Sequence, residues 1–468
     1  MKNEKDQICL QTPNTTLVVT RNSYTFRWES PVEPIPWTTI YDATKRKPGC
    51  SQAECDRVLP PLVSEDCLFL NIWTPLTANS STSYPVLAFI HGGNFDGMSA
   101  SSLLFDGENI TYKGEIIVVT LDYRLGALGF LVTRDKIGQK GANGNYGILD
   151  QRLALKWIHD NIQSFGGDPN QVTVSGQSAG SQSIAIHMMS KDTSQLFHKA
   201  IMESNPLSLP FKSHTEALYI GDLVAKQLGC RSGDIKCLRK LSADKISQAT
   251  EDGRADPSSL KLLEFFELWG PNVDGKIVPY QPLEAIQNGN FVDVPIIMGS
   301  LTEETRIYVY SAWSKPLSSL DYELAMAATF PTQIKKVLKK YPPSTSQTDQ
   351  RDTLVEAATD FVFTCCTRNF TRSVVTQKHS PVFRYVFDHA FSFPGGSVSL
   401  GNFTITSDEY KLSDSLIYYW SNFVKTGDPN KGHSGLINWP AYTADTDWQY
   451  LLFQTPQNSV RSKYRQDF

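Results

Sequence analysis

Gln171 to Ser183 reads QVTVSGQSAGSQS, a short β-branched run that passes straight into a Gly-x-Ser-x-Gly pattern. A strand-forming stretch followed at once by a serine between two near glycines places Ser178 on a tight bend from strand to helix. The side-chain-free neighbours permit a strained backbone at the serine. The bend lifts Ser178 Oγ over the carboxyl edge of a sheet, and the helix that follows turns its first N–H groups toward the same place. As a bare pattern this is weak; in a strand-turn-helix setting it marks a nucleophile.

Upstream, YPVLAFIHGG and EIIVVTLDYR are short apolar runs of the kind that fill a parallel sheet covered on both faces. GNYGILDQRLALKWIHDNIQSFGGDP then changes period: Leu149, Leu153, Trp157 with Ile158, and Ile162 recur every three or four residues until Gly166, Gly167 and Pro169 stop the helix. Downstream, VPIIMGS and PVFRYVFDH supply later strands, and SDEYKLSDSLIYYWSNFVKTGDP a late helix closed by Gly427 and Pro429. No internal repeat or long low-complexity tract breaks the order. Alternating strands and helices predict one α/β body over residues 1–468, a doubly wound, mostly parallel sheet with helical insertions. Length by itself would allow about three domains, but large α/β enzymes often run as one.

Composition removes several function classes. The 468 residues carry a formal charge of −4, and the basic clusters are isolated, so nucleic acid is not an expected partner. No apolar run approaches the ~20 residues that a membrane-spanning helix needs. The first ten residues lack the apolar stretch of a signal peptide. Sequons at Asn14, Asn79, Asn109, Asn369 and Asn402, all in stretches that read as loops or loop edges, together with eight cysteines, favour an oxidising, extracellular setting. The cysteines are dispersed and lack metal-ligand spacing, so no metal is expected. Cys230 and Cys237 lie close enough for a short bridge, and of Cys50, Cys55 and Cys67 the outer two would close a surface loop. Cys9, Cys55, Cys365 and Cys366 remain; vicinal cysteines bridge poorly, which makes Cys9 and Cys55 the expected partners of Cys365 and Cys366.

FIHGGNF supplies the second element of a site. A strand ending in Gly92 and Gly93 lets main-chain N–H groups approach a ligand, as a tetrahedral oxyanion requires, and Gly92, Gly93 and Ala179 are the natural donors. With these residues in place the chain resembles the type-B carboxylesterases, the cholinesterase and carboxylesterase family of α/β-hydrolases. The resemblance runs from RWESPVEPIPW to DWQYLLF through SEDCLFLNIWTP, LDYRLGALGF, GQSAG and LSDSLIYYWSNFVKTGDPN. It implies that Ser178 is the nucleophile, that Gly92, Gly93 and Ala179 form the oxyanion hole, and that Cys50–Cys67 and Cys230–Cys237 are disulfides. It also implies an ester hydrolase that works through an acyl-enzyme; no cofactor is expected, and the sequons and cysteines favour a secreted one.

The family's triad acid lies just after a strand, in a DEG-like turn. MGSLTEETRIY makes Glu304 the match and Glu303 its neighbour, with Thr305 where the family has glycine. The family's base sits in a His-Gly-x-Glu-like loop, yet no histidine occurs between His389 and Asp414. His389 matches a strand-end histidine that is structural in the family. His91, His159, His187, His198, His214, His379 and His433 are poorly placed for the role. The stronger expectation is a missing segment at PGGSV, where the join is abrupt, matched by a similar gap at NSYTFRW. The alternative is a catalytically silent relative that serves adhesion, storage or structure through a protein partner. Gln177 before the serine, where cholinesterases carry glutamate, and the absence of tryptophan between Cys50 and Cys67 argue against choline esters. A small-molecule ester is the expected substrate, an interfacial lipid a remote one, and the aromatic residues of LLEFFELWGP read as core.

Overall fold

The computed structural model describes residues 14–18, 27–34, 43–53, 62–136, 140–252, 267–392 and 404–466. Ten strands form the principal sheet: β1 (Asn14–Val18), β2 (Phe69–Trp73), β3 (Tyr84–Ile90), β4 (Ile117–Leu121), β5 (Gly167–Gln177), β6 (Lys199–Glu203), β7 (Ile296–Leu301), β8 (Val382–Phe387), β9 (Gln449–Phe453) and β10 (Ser459–Ser462). Their spatial order is β1-β2-β4-β3-β5-β6-β7-β8-β9-β10. The run from β4 to β9 is parallel; β1 and β2 at one end and β10 at the other pair antiparallel. This is the α/β-hydrolase fold.

Why these strands lie in the middle follows from their composition. All five residues of β4 are buried, and so are all five of β2, because helices cover both faces of the sheet. Two apolar layers result: one face packs around Ile90, Val119, Val174 and Met298, the other around Ile201, Ile297, Phe383 and Trp439.

The helices that matter to the site are α1 (Glu108–Gly114), α2 (Tyr146–Asn161), α3 (Ala179–Met188), α4 (Arg306–Ala312), α5 (Ser319–Thr329), α6 (Arg351–Thr359), α7 (Cys365–Gln377) and α8 (Ser407–Thr426). The expected α2 is present and ends through Gly166 at φ 85°. Its buried stripe differs from the expected one. Ile148, Gln151, Leu155, Ile158 and Ile162 face inward, while Leu149, Leu153 and Trp157 are half-buried. The inner face includes polar groups with partners, which apolar periodicity cannot register. Helix α8 starts at a capping box of Thr406 and Glu409 and stops at Gly427, φ 77°.

From β3 the chain goes to β4 on one side, and from β5 to β6 on the other, so the carboxyl ends of β3 and β5 flank a topological switch point. Ile90 pairs with Gly176, which sets the loop after β3 beside the bend after β5. Helices α4, α5 and α6 build a separate small core from Val309, Leu317, Tyr322, Met326 and Leu354, a cap over this end of the sheet. Among the described residues no helix is long and apolar enough to cross a membrane.

Candidate active site

Ser178 stands between β5 and α3 with φ 55° and ψ −120°, a left-handed conformation that non-glycine residues adopt only under constraint. The constraint is steric. A Cβ at Gly180 would lie 2.0 Å from the Ile90 carbonyl oxygen, and one at Gly176 would lie 2.7 Å from the Gly180 carbonyl carbon. Only bare Cα atoms at both positions let the helix start against the end of β3. Ser178 N–H donates to the Glu203 carbonyl at 2.9 Å, and its own carbonyl accepts from Gln182 N–H at 3.0 Å. The side chain lines a cavity, and the residue is 8% exposed.

Gly92 lies against the serine: a Cβ there would be 3.1 Å from Ser178 Cβ and 2.7 Å from the Gln177 carbonyl oxygen. Gly93 has φ 97°, and its carbonyl accepts from Asp96 and Gly97 N–H, so the chain doubles back on itself. Tyr123 Oη pins the start of the turn by donating to the His91 carbonyl at 3.0 Å. No acceptor is found for the N–H groups of Gly92, Gly93 or Ala179 among the described residues.

Glu304 follows β7, 8% exposed, with its Oε1 accepting from Leu301 N–H at 2.8 Å. Burial pushes its carboxyl up to about 7, against the lowering effects of the Leu301 N–H and the Ser204 hydroxyl. Glu303 instead pairs at the surface with Arg306 at 2.6 Å. Thr305 needs no glycine-like backbone, since its φ of −91° is right-handed. Its N–H donates to Thr359 Oγ1 at 3.2 Å and its hydroxyl to the Val355 carbonyl at 3.0 Å, which ties the turn to α6.

Four of the histidines are tied to groups other than Ser178. His389 sits between Glu409, 3.2 Å from Nε2, and Thr455, 3.1 Å from Nδ1. His91 Nδ1 is 2.8 Å from the Gly92 carbonyl oxygen, His187 Nε2 is 2.9 Å from Gln151 Oε1, and His159 Nδ1 is 3.0 Å from Asp160 Oδ1. Burial lowers His91 to about 4 and His187 to about 3, so both stay neutral near pH 7. The described residues around Ser178's cavity include no histidine.

That cavity is apolar on most sides. Tyr308, Val309, Trp313, Met326, Phe330, Leu354 and the bulged turn Phe361–Phe363 come from the cap; Pro206 and Leu209 follow β6. Two carboxylates missed by motif reading lie at this end of the sheet. Glu203 closes β6, takes a hydrogen bond from Trp420 Nε1 at 2.8 Å, and burial pushes it to about 7. Glu267 lines the cavity itself, is likewise pushed to about 7 by burial, and takes a hydrogen bond from Gln182 Nε2 at 3.2 Å. Neither belongs to a spaced motif; the only sequence signal for Glu203 is its place at the end of a strand. Trp269 is core, as expected, while Phe265 and Phe266 lie outside the described residues.

Cys50–Cys67 and Cys230–Cys237 are disulfides. The expected partnership of Cys365 and Cys366 with Cys9 and Cys55 is not met. Both carry free thiols, and Cys366 is buried in α7 with its thiol donating to the Val362 carbonyl at 2.8 Å. Cys9 and Cys55 lie outside the described residues. The sequons are not all in loops: Asn14 begins β1, Asn109 is in α1 and Asn369 in α7. Asn79 lies in an exposed turn, Asn109 and Asn369 are exposed too, and Asn402 is outside the described residues.

A serine on a strained strand-helix bend, at the switch point of a sheet of this order, defines the chain as an α/β-hydrolase by class. It belongs to the carboxylesterase family, whose model matches residues 24–468. It is 33% identical to the cAMP-regulated D2 protein of Dictyostelium discoideum, over 92% of this chain and 83% of that protein. It is 32% identical to acetylcholinesterase of Bungarus fasciatus, over 92% and 77% of the two chains, and 32% identical to the para-nitrobenzyl esterase of Bacillus subtilis (strain 168), over 94% and 91%. The match to the snake enzyme spans 484 positions, more than the 468 residues present here, so that relative carries segments this sequence lacks.

Proposed function

We propose that the protein is a secreted carboxylic ester hydrolase in which Ser178 Oγ attacks the ester carbonyl. The observation that carries this reading is the backbone of Ser178, φ 55° and ψ −120°, held there by the close contact of Gly180 with β3. The tetrahedral oxyanion is received by the N–H groups of Gly92, Gly93 and Ala179, each worth about 3 kcal/mol in the transition state. The alcohol then leaves, and water releases the acyl group from Ser178 by the same route. Glu304 orients the base and offsets its charge. We assign the base to an imidazole on a segment inserted between Phe393 and Ser407 in a longer form of this chain; the match to the snake enzyme, which has more positions than this chain has residues, supports a missing segment without locating it.

Gln177 and the tryptophan-free loop between Cys50 and Cys67 favour general carboxylic esters over choline esters. The two disulfides and the exposed Asn79, Asn109 and Asn369 support passage through the secretory route.

A second reading, a silent hydrolase fold that binds a protein partner, is favoured by one observation, the absence of histidine among the described residues lining Ser178's cavity. Turnover of p-nitrophenyl acetate by the form of the chain that carries the base segment separates the two. The hydrolase reading expects a rate that Ser178→Ala lowers by several orders of magnitude. Equal, slow rates for both proteins would refute it. Comparison with p-nitrophenyl palmitate tests the lipase option.

A further inference from the structure

An apolar cavity beside a reactive serine is an expensive place for a carboxylate, because removing a charge from water costs several kcal/mol unless something compensates. Glu267 is nevertheless there, on the wall that also carries Ser178, among Val309, Met326 and Phe330. Its compensation is partial. Gln182 Nε2 donates to Oε2 at 3.2 Å, Lys212 Nζ donates to the Glu267 main-chain oxygen at 2.6 Å, and the lysine's charge favours the ionised carboxylate. Oε1 has no hydrogen-bond partner among the described residues, and the residue is half-buried, open on the cavity side.

Position follows from the same bond. Gln182 is four residues after Ser178 on α3, and residues at that spacing are about 5–6 Å apart on one helix face. The carboxylate that Gln182 holds lines the same cavity as Ser178, so a substrate whose ester carbonyl meets Ser178 extends into the space that Glu267 borders.

We propose that Glu267 is a specificity-determining residue, the anionic end of a subsite that takes a protonated amine on the part of the substrate lying in this cavity, close to the ester carbonyl. The proposal rests on the reading of Ser178's cavity as the substrate site. An ammonium there gains a charge-assisted bond to Oε1 and relieves the buried charge, while the rest of the group packs on the apolar wall. A neutral group of the same shape leaves the carboxylate unpaired.

Benzylammonium and benzyl alcohol share a ring and differ in the donor that would meet Glu267. Their dissociation constants, measured at pH 8 by calorimetry on the wild-type chain, Glu267→Gln and Glu267→Leu, test the subsite without requiring turnover. The expected result is a preference for benzylammonium of about tenfold or more in wild type, lost in both variants, with both variants still folded by circular dichroism. Equal affinities in wild type, or a preference that survives in Glu267→Gln, would overturn the proposal. In parallel, kcat/KM for p-nitrophenyl β-alaninate against p-nitrophenyl butyrate is expected to drop in Glu267→Gln for the amino ester alone. If neither ester is turned over by the form that carries the base segment, the hydrolase reading fails, and the calorimetry still decides whether Glu267 selects cations.

Discussion

At Gly180 a single hydrogen atom decides whether the bend can form. A methyl group there would meet the Ile90 carbonyl oxygen at 2.0 Å, backbone against backbone, where no rotamer change can help. Gly180→Ala is expected to cost at least about 3 kcal/mol, read as a lower urea midpoint, and to remove hydrolysis with it. Glu304 makes a different prediction. Burial raises its folded pKa from 4.5 to about 7, so between those values the folded chain holds a proton that the unfolded chain has lost. Its contribution is most favourable below pH 4.5 and is lost as pH rises through 7. The stability of Glu304→Gln relative to wild type should therefore increase from pH 5 to pH 8. Urea midpoints that keep a constant difference across that range would show that Glu304 ionises without cost.

Among the elements, α2 is held to the strand edge by charge as well as by its apolar face. Arg124, just after β4, meets Asp150 through Nε and Nη2, each at 2.7 Å, and Arg124 N–H adds a third bond at 3.0 Å. Asp150→Ala would leave the guanidinium buried and unpaired, and a loss of about 3–5 kcal/mol is expected in guanidinium chloride unfolding. Helix α8 engages His389, just past the end of β8. Glu409, in its first turn, accepts from the Thr406 and Ser392 N–H groups at 2.8 and 2.7 Å and also holds His389. These bonds keep the Glu409 carboxyl far below the ordinary range. His389→Ala is expected to lower the melting temperature and leave p-nitrophenyl acetate turnover in place; abolished turnover in a folded variant would make His389 the base.

On the scale of the whole molecule, the expected strands and helices could be read because parallel strands are solid apolar runs and helix ends carry their glycines. The strained serine was legible for the same reason: glycine at 176 and 180 is the signature of a close approach. What escaped has a common physical cause. Glu203, Glu267, Asp150 and Gln151 are polar groups whose partners lie far along the chain, so no local period contains them. The apolar cap was visible only as a helical insertion, since its cavity-facing residues come from three separated segments. Passage of the intact chain through a secretory pathway is expected to leave glycans at Asn79, Asn109 and Asn369. Peptide mass spectrometry before and after enzymatic deglycosylation reads each site, and a chain retained inside the cells with all three asparagines unmodified would contradict the extracellular proposal.

The nucleophilic character of Ser178 is open to direct chemical trapping. Incubation of the folded, full-length protein with a fluorophosphonate, followed by digestion and mass spectrometry, is expected to show one phosphonylated peptide carrying the adduct on Ser178, absent from Ser178→Ala. A folded wild-type protein that stays unlabelled at Ser178, or is labelled equally in the alanine variant, would contradict the account.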